Sequence, residues 1–333
     1  MTTKRTRTLT ALSIAIAGAV SAGTATAAAS PTTPESNDPA KVVVIGLDGT
    51  MLDHIKTANT PNLHRLMAEG TTGSSSILGH PTISGPSWST MLTGVWNTKH
   101  GVQDNSFNGA RFDQYPTAFT QIERADPALR TEAISTWGGI ATIAGSGSPT
   151  ADVVTTTPDA GSEGATDTAT ATAVANEIAG NGPDFVFTQL DQVDGAGHAT
   201  GTLGPAYNLA IEAVDLEVGR IVAAVDERQR NTGERWTVLV TADHGHRPLG
   251  GHGGQTPAEA STFVIVRGGG YRAGGIDNGY TMADIAPTVL EILGVPRPAN
   301  LDGTALAKDA PVPPPVAGGS TGAALPSWVP TGS

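Results

Sequence analysis

The sequence predicts a doubly wound α/β domain, a sandwich in which a mostly parallel sheet has helices on both faces. Four short runs rich in β-branched residues are continuously apolar, which is typical of strands buried on both faces; they span residues 42–47, 185–190, 237–240 and 263–266. Helical patterns fall between them, at residues 61–68, 169–178, 206–228 and 283–293. Alternating strands and helices favour this architecture, and ligands then collect beyond the carboxyl ends of the strands.

The third helical stretch has the clearest periodicity. Its apolar residues fall on one stripe, namely Ile211, Val214, Val218, Ile221 and Val222. Glu212, Glu217 and Arg220 fall off that stripe, so the stretch is amphipathic and should pack one face on the sheet. Gly294 and Pro296 predict the end of the last helix.

The two ends of the chain differ in composition from the middle. Residues 1–29 combine early basic residues, a short apolar run and an Ala-x-Ala site, the pattern of a secretory signal peptide cleaved near residues 27–29. Residues 30–39 form a polar linker, and residues 307–333 form a tail rich in Pro, Gly and Ala that we expect to be disordered. Residues 40–306 are therefore predicted to be one secreted catalytic domain.

Charge and residue usage exclude several classes of function. The 333-residue chain has a net charge of −12, which argues against nucleic-acid binding through a basic surface. It contains no cysteine, so disulfides, thiolate metal sites and cysteine nucleophiles are excluded. No segment after the leader is apolar enough to be predicted as a transmembrane span. Composition does not determine the oligomeric state.

Carboxylates and imidazoles gather where the predicted strands end. The residues that follow the first three strands, and the glycine-rich loop after the third, are Asp48, Asp191, Asp194, His198, Asp243, His244 and His252. A single Asp at such a position is usually a helix cap or turn former. Several that converge would repel one another in a low dielectric, so cations must hold them together. Oxygen and nitrogen ligands without thiolates suit zinc, with manganese or iron as alternatives.

A candidate nucleophile comes from a different segment. Pro86 is suited to the first position of a short apolar helix, predicted at residues 87–92, so Ser84 would lie just before a helix N-terminus. Free backbone amides and the helix dipole favour a phosphoryl group there. A metal ion bound to Ser84 would lower the pKa of its hydroxyl. Thr82 is the alternative hydroxyl.

Taken in order, these motifs resemble the alkaline phosphatase superfamily, and within it the type I phosphodiesterase/nucleotide pyrophosphatase family. The resemblance spans residues 41–306 and rests on Asp48-Gly49, "PTISGPSWSTMLTG" with "KHGVQDN", "DGAGH", "DHG", "GGHG" and "DIAPTVLEILG" with "LDG". It implies an alkaline phosphatase-like fold and two divalent metal ions, both Zn²⁺.

The resemblance also implies a role for individual residues. One zinc would be held by Asp48, Ser84, Asp243 and His244, and the other by Asp194, His198 and His252. Ser84 would be the nucleophile, and Asn105 would donate a hydrogen bond to a nonbridging phosphoryl oxygen. Asp191 is interpreted as a turn residue or as support for a ligand, and His246 as a surface or supporting residue. His100 is expected to shape its loop rather than bind metal, and His54, His64 and His80 are expected to be structural or solvated.

The implied function is a secreted two-metal hydrolase of phosphate esters, foremost a phosphodiesterase that acts through a phosphoseryl intermediate. Gly85-Pro86-Ser87 stands where the family usually has Phe-Pro-Asn, so the aromatic contact with a nucleotide base is lost unless Trp88 or Phe107 replaces it.

Other functions stay open at this point. An alkaline phosphomonoesterase needs an extra cationic clamp, for which Arg111 and Arg247 are candidates. A sulfatase is disfavoured because Trp88 occupies the position of the signature arginine. A phosphonate hydrolase and a non-catalytic metal-binding module are further alternatives.

Overall fold

The computed structural model describes residues 40–313. The predicted leader and linker, and residues 314–333 of the predicted tail, lie outside the described residues. The described strands form one sheet of eight, in the order β4-β3-β5-β1-β6-β7-β2-β8. They are β1 (Ala40–Leu47), β2 (Thr71–Ser76), β3 (Thr131–Ser135), β4 (Val153–Thr156), β5 (Phe185–Leu190), β6 (Arg235–Thr241), β7 (Ser261–Gly268) and β8 (Gly275–Ile276).

The sheet is mostly parallel, which confirms the predicted fold class. β1 lies at its centre, parallel to β5 on one side and to β6 on the other. β7 pairs antiparallel with both β6 and β2, so it is the one reversed strand among the eight described. The four predicted strands are β1, β5, β6 and β7, each present and most of them slightly longer than predicted.

The helices occupy the connections between strands. They are α1 (Leu52–Ile55), α2 (Pro61–Glu69), α3 (Ser84–Thr93), α4 (Asn97–His100), α5 (Ala118–Ala125), α6 (Gly138–Ala144), α7 (Glu163–Gly180), α8 (Gln192–Thr200), α9 (Pro205–Thr232) and α10 (Ile285–Ile292), the last preceded by a 3₁₀ turn at Met282–Asp284. The four predicted helical stretches correspond to α2, α7, α9 and α10. Within residues 40–313 no helix combines the length and the apolarity needed to cross a membrane.

Two apolar cores sandwich the sheet. Successive side chains of a strand point to opposite faces, and in β1 Val42 and Val44 pack in the core that contains α3, α5, α6 and α10. Val43 and Ile45 pack in the other core, against α2, α7 and α9. Because both faces of β1 are covered, its sequence is continuously apolar rather than alternating.

Strand register brings the ends of three strands together. Leu47 of β1 pairs with Leu190 of β5, and Gly46 of β1 pairs with Thr241 of β6. The residues that follow β1, β5 and β6 therefore emerge side by side at the carboxyl edge of the sheet, where the candidate ligands occur in the sequence.

Part of the predicted tail is ordered against the edge of the sheet. The backbone N–H of Ile276 in β8 donates to the carbonyl of Pro311 at 2.9 Å, and Ala310 is buried. The ordered chain thus runs past residue 306, since the edge strand offers a backbone donor that a passing segment can satisfy.

Candidate metal centre

Four side chains converge in what we call the buried cluster: Asp48, Ser84, Asp243 and His244. The Nε2 atom of His244 lies 3.1 Å from Asp243 Oδ2 and 3.5 Å from Asp48 Oδ1. The Oγ atom of Ser84 lies 3.3 Å from the same nitrogen. All four residues are buried, and Ser84 is the most accessible at 7%.

The backbone and two core side chains fix the carboxylates of this cluster. The N–H of Gly49 donates to Asp243 Oδ1. Trp88 Nε1 and Gln189 Nε2 both donate to Asp48 Oδ2, each at 3.0 Å. The second oxygen of each carboxylate, Asp48 Oδ1 and Asp243 Oδ2, is buried without a hydrogen-bond partner. Buried polar atoms are normally paired, so two unpaired carboxylate oxygens that both face one imidazole fit a cation-binding site.

Electrostatics support the same interpretation. Burial raises the pKa of Asp48, and the nearby carboxylates of Asp243 and Asp194 raise it further. Burial likewise raises the pKa of Asp243 and lowers the pKa of His244. His244 Nδ1 lies 3.2 Å from the carbonyl of Gly245, so the tautomer protonated there donates to it and leaves the Nε2 lone pair for a ligand.

Three further side chains form what we call the open cluster: Asp194, His198 and His252. The Nε2 atoms of the two imidazoles are 3.0 Å apart. Asp194 Oδ2 lies 3.3 Å from His198 Nε2, and Asp194 Oδ1 lies 3.6 Å from His252 Nε2. The His198 side chain is 53% exposed. His252 Nδ1 lies 2.7 Å from the carbonyl of Thr82, which it can donate to while Nε2 faces the cluster.

The carboxylate and imidazole atoms of each cluster lie close enough together to share one metal ion. With metal–ligand bonds of about 2.0–2.1 Å, tetrahedral ligand atoms are separated by about 3.3 Å. In the buried cluster His244 Nε2 lies 3.1, 3.3 and 3.5 Å from Asp243, Ser84 and Asp48, and in the open cluster the two imidazole Nε2 atoms are 3.0 Å apart. The donor atoms are carboxylate oxygens, imidazole nitrogens and a hydroxyl, the set that zinc accepts in the absence of thiolates.

The open cluster is positioned by α8, a helix that the sequence analysis did not predict. Asp194 and His198 are four residues apart on it and so lie on one face. The carboxylate of Asp167 accepts hydrogen bonds from the backbone N–H groups of Asp191 and Gln192, which fixes the start of the helix. Burial raises the pKa of Asp167 to about 6, although these hydrogen bonds act to lower it.

The two clusters adjoin, and Asp191 and His246 lie beside both of them. Asp191 is half-buried within reach of Asp48 and Asp194, and burial raises its pKa to about 7. His246 is fully buried, with Nε2 2.9 Å from Asp194 Oδ1, so its surface interpretation was wrong and the supporting one is compatible with its position.

The serine lies inside a helix rather than before it. Ser84 is the first residue of α3, with Ile83 at the N-cap, and Pro86 is the third residue rather than the first. A proline is tolerated there because the first N–H groups of a helix have no intrahelical partner. Asn105 Oδ1 accepts one of them, the N–H of Gly85, at 2.7 Å. That hydrogen bond places the exposed amide of Asn105 beside Ser84.

Thr82, the alternative candidate for the nucleophile, instead forms hydrogen bonds that hold a loop. Its Oγ1 donates to the carbonyl of Gly254 and accepts from the N–H of Gly253. With its own carbonyl facing His252, Thr82 holds the loop that carries this ligand. Both hydrogen bonds occupy the hydroxyl.

The structure also shows where the candidate substrate-contacting residues Trp88, Phe107 and Arg111 lie. Trp88 is fully buried and bonded to Asp48, so it does not replace an aromatic contact with a base. Phe107 is partly buried, adopts a positive φ of 57° and packs against Trp137. The guanidinium of Arg111 donates to the carbonyls of Lys99 and Thr98 at the end of α4.

The remaining histidines have partners away from the clusters. His54 contacts Asn208 and His80 contacts Asn97. His100 Nε2 lies 3.0 Å from Thr90 Oγ1, and burial lowers its pKa to about 4. His64 lies 3.4 Å from Thr60 Oγ1. These contacts fit the structural roles expected from the sequence.

Gln189 is a supporting residue that the sequence analysis missed. It lies within the apolar run of β5, where a fully buried amide needs polar partners, and it donates to both Asp48 and Asp191. A lone glutamine in a run that reads Phe-Val-Phe-Thr-Gln-Leu was the available signal.

The mostly parallel sheet, the two adjoining Asp/His clusters and the serine at the start of α3 define an α/β protein with a candidate metal centre at the carboxyl edge of its sheet. The family model for type I phosphodiesterase/nucleotide pyrophosphatase matches residues 42–268, more than half of the chain. The chain belongs to that family.

Individual relatives are more distant. The 2,3-bisphosphoglycerate-independent phosphoglycerate mutase of Halobacterium salinarum is 33% identical over 141 residues, 40% of this chain and 25% of the mutase. Murine ectonucleotide pyrophosphatase/phosphodiesterase 5 superposes with a TM-score of 0.62 at 15% identity, over 81% of this chain and 97% of the murine one. A phosphonate monoester hydrolase from Silicibacter pomeroyi superposes with a TM-score of 0.58 at 18% identity, over 80% and 76% of the two chains. The chain thus spans about a quarter of the length of the curated mutases that it matches.

Proposed function

We propose that this protein is a secreted, two-metal phosphodiesterase in which Ser84 is the nucleophile. The observation that carries the proposal is the position of Ser84 Oγ, 3.3 Å from His244 Nε2 within the buried cluster, at the first residue of α3. A hydroxyl at a helix N-terminus beside a cation site is suited to attack on an anionic ester.

The ligand assignment follows the two clusters. Asp48, Ser84, Asp243 and His244 would hold one divalent ion, and Asp194, His198 and His252 the other, with zinc favoured by the donor atoms. When bound, the two ions supply charge neutralisation for the attacking and departing oxygens and lower the pKa of the Ser84 hydroxyl.

The residues of the chain account for the remaining steps. Ser84 Oγ attacks phosphorus in line and the bond from phosphorus to the leaving group breaks, which gives a phosphoseryl intermediate; overall the serine proton ends on the departing alcohol. Water then cleaves the bond between phosphorus and the serine oxygen, which regains its proton. The side-chain amide of Asn105, whose oxygen accepts the N–H of Gly85, would donate to a nonbridging phosphoryl oxygen.

A diester is favoured over a monoester by charge. A monoester dianion needs an additional fixed cation, and the guanidinium of Arg111 is taken up by two backbone carbonyls. Arg247 is half-exposed and 3.5 Å from Glu259, which neutralises part of its charge. With a single negative charge on the phosphoryl group, a diester needs no such clamp.

The alcohol groups of the substrate are less constrained. The murine relative has also been solved in complex with AMP. In this chain Gly85 follows the nucleophile and Trp88 is buried, so a base would have to contact Phe107 or Trp137 instead. We therefore propose a permissive site that accepts simple aryl and alkyl diesters.

The test is a comparison of kcat/KM for bis-p-nitrophenyl phosphate and p-nitrophenyl phosphate with zinc-loaded mature protein. The diester should be preferred, and Ser84→Ala should lower kcat by about a thousandfold or more, as expected for loss of a nucleophile. Ser87→Ala is the matched control, because Ser87 is buried in the same helix and its hydroxyl donates to the carbonyl of Pro81 rather than to a member of either cluster.

Other results of this test would contradict parts of the proposed function. A monoester preference would identify an alkaline phosphomonoesterase and direct attention to Arg247. Full activity in Ser84→Ala would refute the assignment of Ser84 as the nucleophile. Secretion is tested separately, by mass spectrometry of the N-terminus of the exported protein, which should begin within a few residues of position 28.

A further inference from the structure

The imidazole of His246 is a buried side chain beside both clusters that the two ligand sets do not use. It is fully buried, and its Nε2 lies 2.9 Å from Asp194 Oδ1. Its Nδ1 has no hydrogen-bond partner. A polar ring held in this way, with one nitrogen on a ligand carboxylate, is a candidate for a specific role.

The chain makes room for this ring with two glycines. A Cβ at Gly49 would lie 2.5 Å from His246 Nε2, and a Cβ at Gly197 would lie 2.4 Å from His246 Cδ2. The ring therefore sits between the turn that follows β1 and the helix α8. Any larger residue at either position would displace it, so its orientation is set by backbone on both sides.

The contacts also indicate the tautomer. With a proton on Nε2, His246 donates to Asp194 Oδ1 and leaves Nδ1 as a bare lone pair. With a proton on Nδ1, a buried N–H would have no acceptor, which is rarer in proteins than an unsatisfied acceptor. The Nε2–H tautomer is thus the one that this environment favours.

We propose that His246 is a positioning residue for the open cluster. Its Nε2–H holds Asp194 Oδ1, which turns Oδ2 of the same carboxylate toward His198 Nε2, 3.3 Å away. This role rests on the proposed two-ion site. Partners that orient a metal-binding side chain typically change metal affinity when they are removed.

Direct ligation is the competing role, because Asp194, His244 and His246 also lie close enough to share an ion. The 2.9 Å separation is a hydrogen-bond distance. The ring centroid of His246 is 5.4 Å from that of His198 and 5.2 Å from that of His252, whereas those two are 4.7 Å apart. His246 is thus farther from each of these two imidazoles than they are from one another, which favours positioning over ligation.

The experiment is calorimetric titration of metal-free full-length protein with zinc, for the wild type and four variants. His246→Leu removes the donor, and His246→Asn has an amide too short to reach Asp194. Each should weaken one of the two zinc sites by about 10- to 100-fold. His246→Gln retains a donor at the position of Nε2 and should restore affinity to within a few-fold.

Tyr207→Phe is the matched control for disturbed packing. The Tyr207 hydroxyl donates to the carbonyl of Gly49 in the same turn but does not touch Asp194. Its loss should lower the Tm of the metal-free protein and leave both zinc affinities unchanged. The Tm of every metal-free variant separates loss of folding from loss of binding, and His246→Asn replaces His246→Leu if the latter does not fold.

Two results would overturn the role of His246. If both removal variants bind two zinc ions as tightly as the wild type, the hydrogen bond does not position Asp194. If His246→Gln fails like His246→Leu, and the visible absorption of the Co²⁺-loaded protein changes, His246 is a direct ligand. A wild-type protein that binds no zinc would instead overturn the two-ion site itself, and with it the proposed function.

Discussion

The buried cluster and the open cluster both combine carboxylates with imidazoles, but the fold presents these groups differently. Asp48 and Asp243 follow directly from the central strands β1 and β6, where backbone and core residues fix them. Asp194 and His198 project from a nine-residue helix, and the His198 side chain is 53% exposed. One cluster lies within the core of the domain, and the other reaches the surface through His198.

That difference predicts different dependence on metal. In the buried cluster the oxygens Asp48 Oδ1 and Asp243 Oδ2 have no partner within the described protein, and water has little access to them. In the open cluster His198 can be hydrated. Metal should therefore be needed for the stability of the buried cluster, whereas the open cluster should bind its ion more weakly and exchange it faster.

Asp243→Asn should have the largest effect. It removes a charged ligand of the buried cluster, so kcat/KM should fall by about a thousandfold or more even with excess zinc. Since burial raises the pKa of Asp243, the ionised group destabilises the metal-free fold, and the metal-free variant should unfold at a higher temperature than the metal-free wild type. Zinc-dependent kinetics and calorimetry measure both changes, and a lower Tm for the variant would contradict this account.

His198→Ala should have a smaller and reversible effect. The side chain is largely solvent-exposed, so its loss should leave the Tm of the metal-free protein within about 1–2 °C of that of the wild type. The apparent zinc affinity of one site should fall by about tenfold to a hundredfold, and raised zinc should recover part of the activity. Activity that no concentration of zinc restores would mean that the two clusters are equally rigid.

A change of pH should have the smallest effect, and the direction in which it changes stability should differ between metal-free and metal-bound protein. The folded-state pKa of Asp191 is raised to about 7, and burial raises those of Asp48 and Asp243 as well. Protonation of these carboxyl groups therefore stabilises the folded state. That stabilisation is fully present below their pKa in the unfolded chain, near 4, and is lost as pH rises through their pKa in the folded protein.

Metal-free protein should accordingly melt about 5 °C higher at pH 5 than at pH 8. With saturating zinc the carboxylates are held ionised, so stability should instead fall as pH is lowered. Differential scanning calorimetry with and without a chelator shows the sign, and Asp191→Asn should flatten the metal-free profile between pH 5 and 7. A metal-free Tm that rises with pH would contradict the idea that these carboxylates are destabilising without a cation.

The strands and several candidate ligands could be predicted from the sequence for local reasons. The run at residues 42–47 is apolar because β1 is covered on both faces, and Asp48 follows it directly. Because register aligns the strand ends, the carboxylates that follow β1, β5 and β6 meet, as their positions in the sequence predicted.

Other features were not predictable because their signals are not local. β2 has the sequence Thr-Thr-Gly-Ser-Ser-Ser and becomes a strand through its pairing with β7. The glycines at positions 195 and 197 of α8 disfavour a helix on their own, yet in the fold Gly197 gives His246 its space.

The sequence by itself thus determined the fold class, the family and the residue types that can bind a cation. Tertiary structure alone decided which carboxylate oxygens stay unpaired. Asp48 Oδ2 is bonded by Gln189, 141 positions away, and Asp243 Oδ1 by the backbone of Gly49, 194 positions away. The physical reason is that periodicity and propensity act over one element, whereas the environment of each buried oxygen is set by segments that meet only when the sheet is assembled.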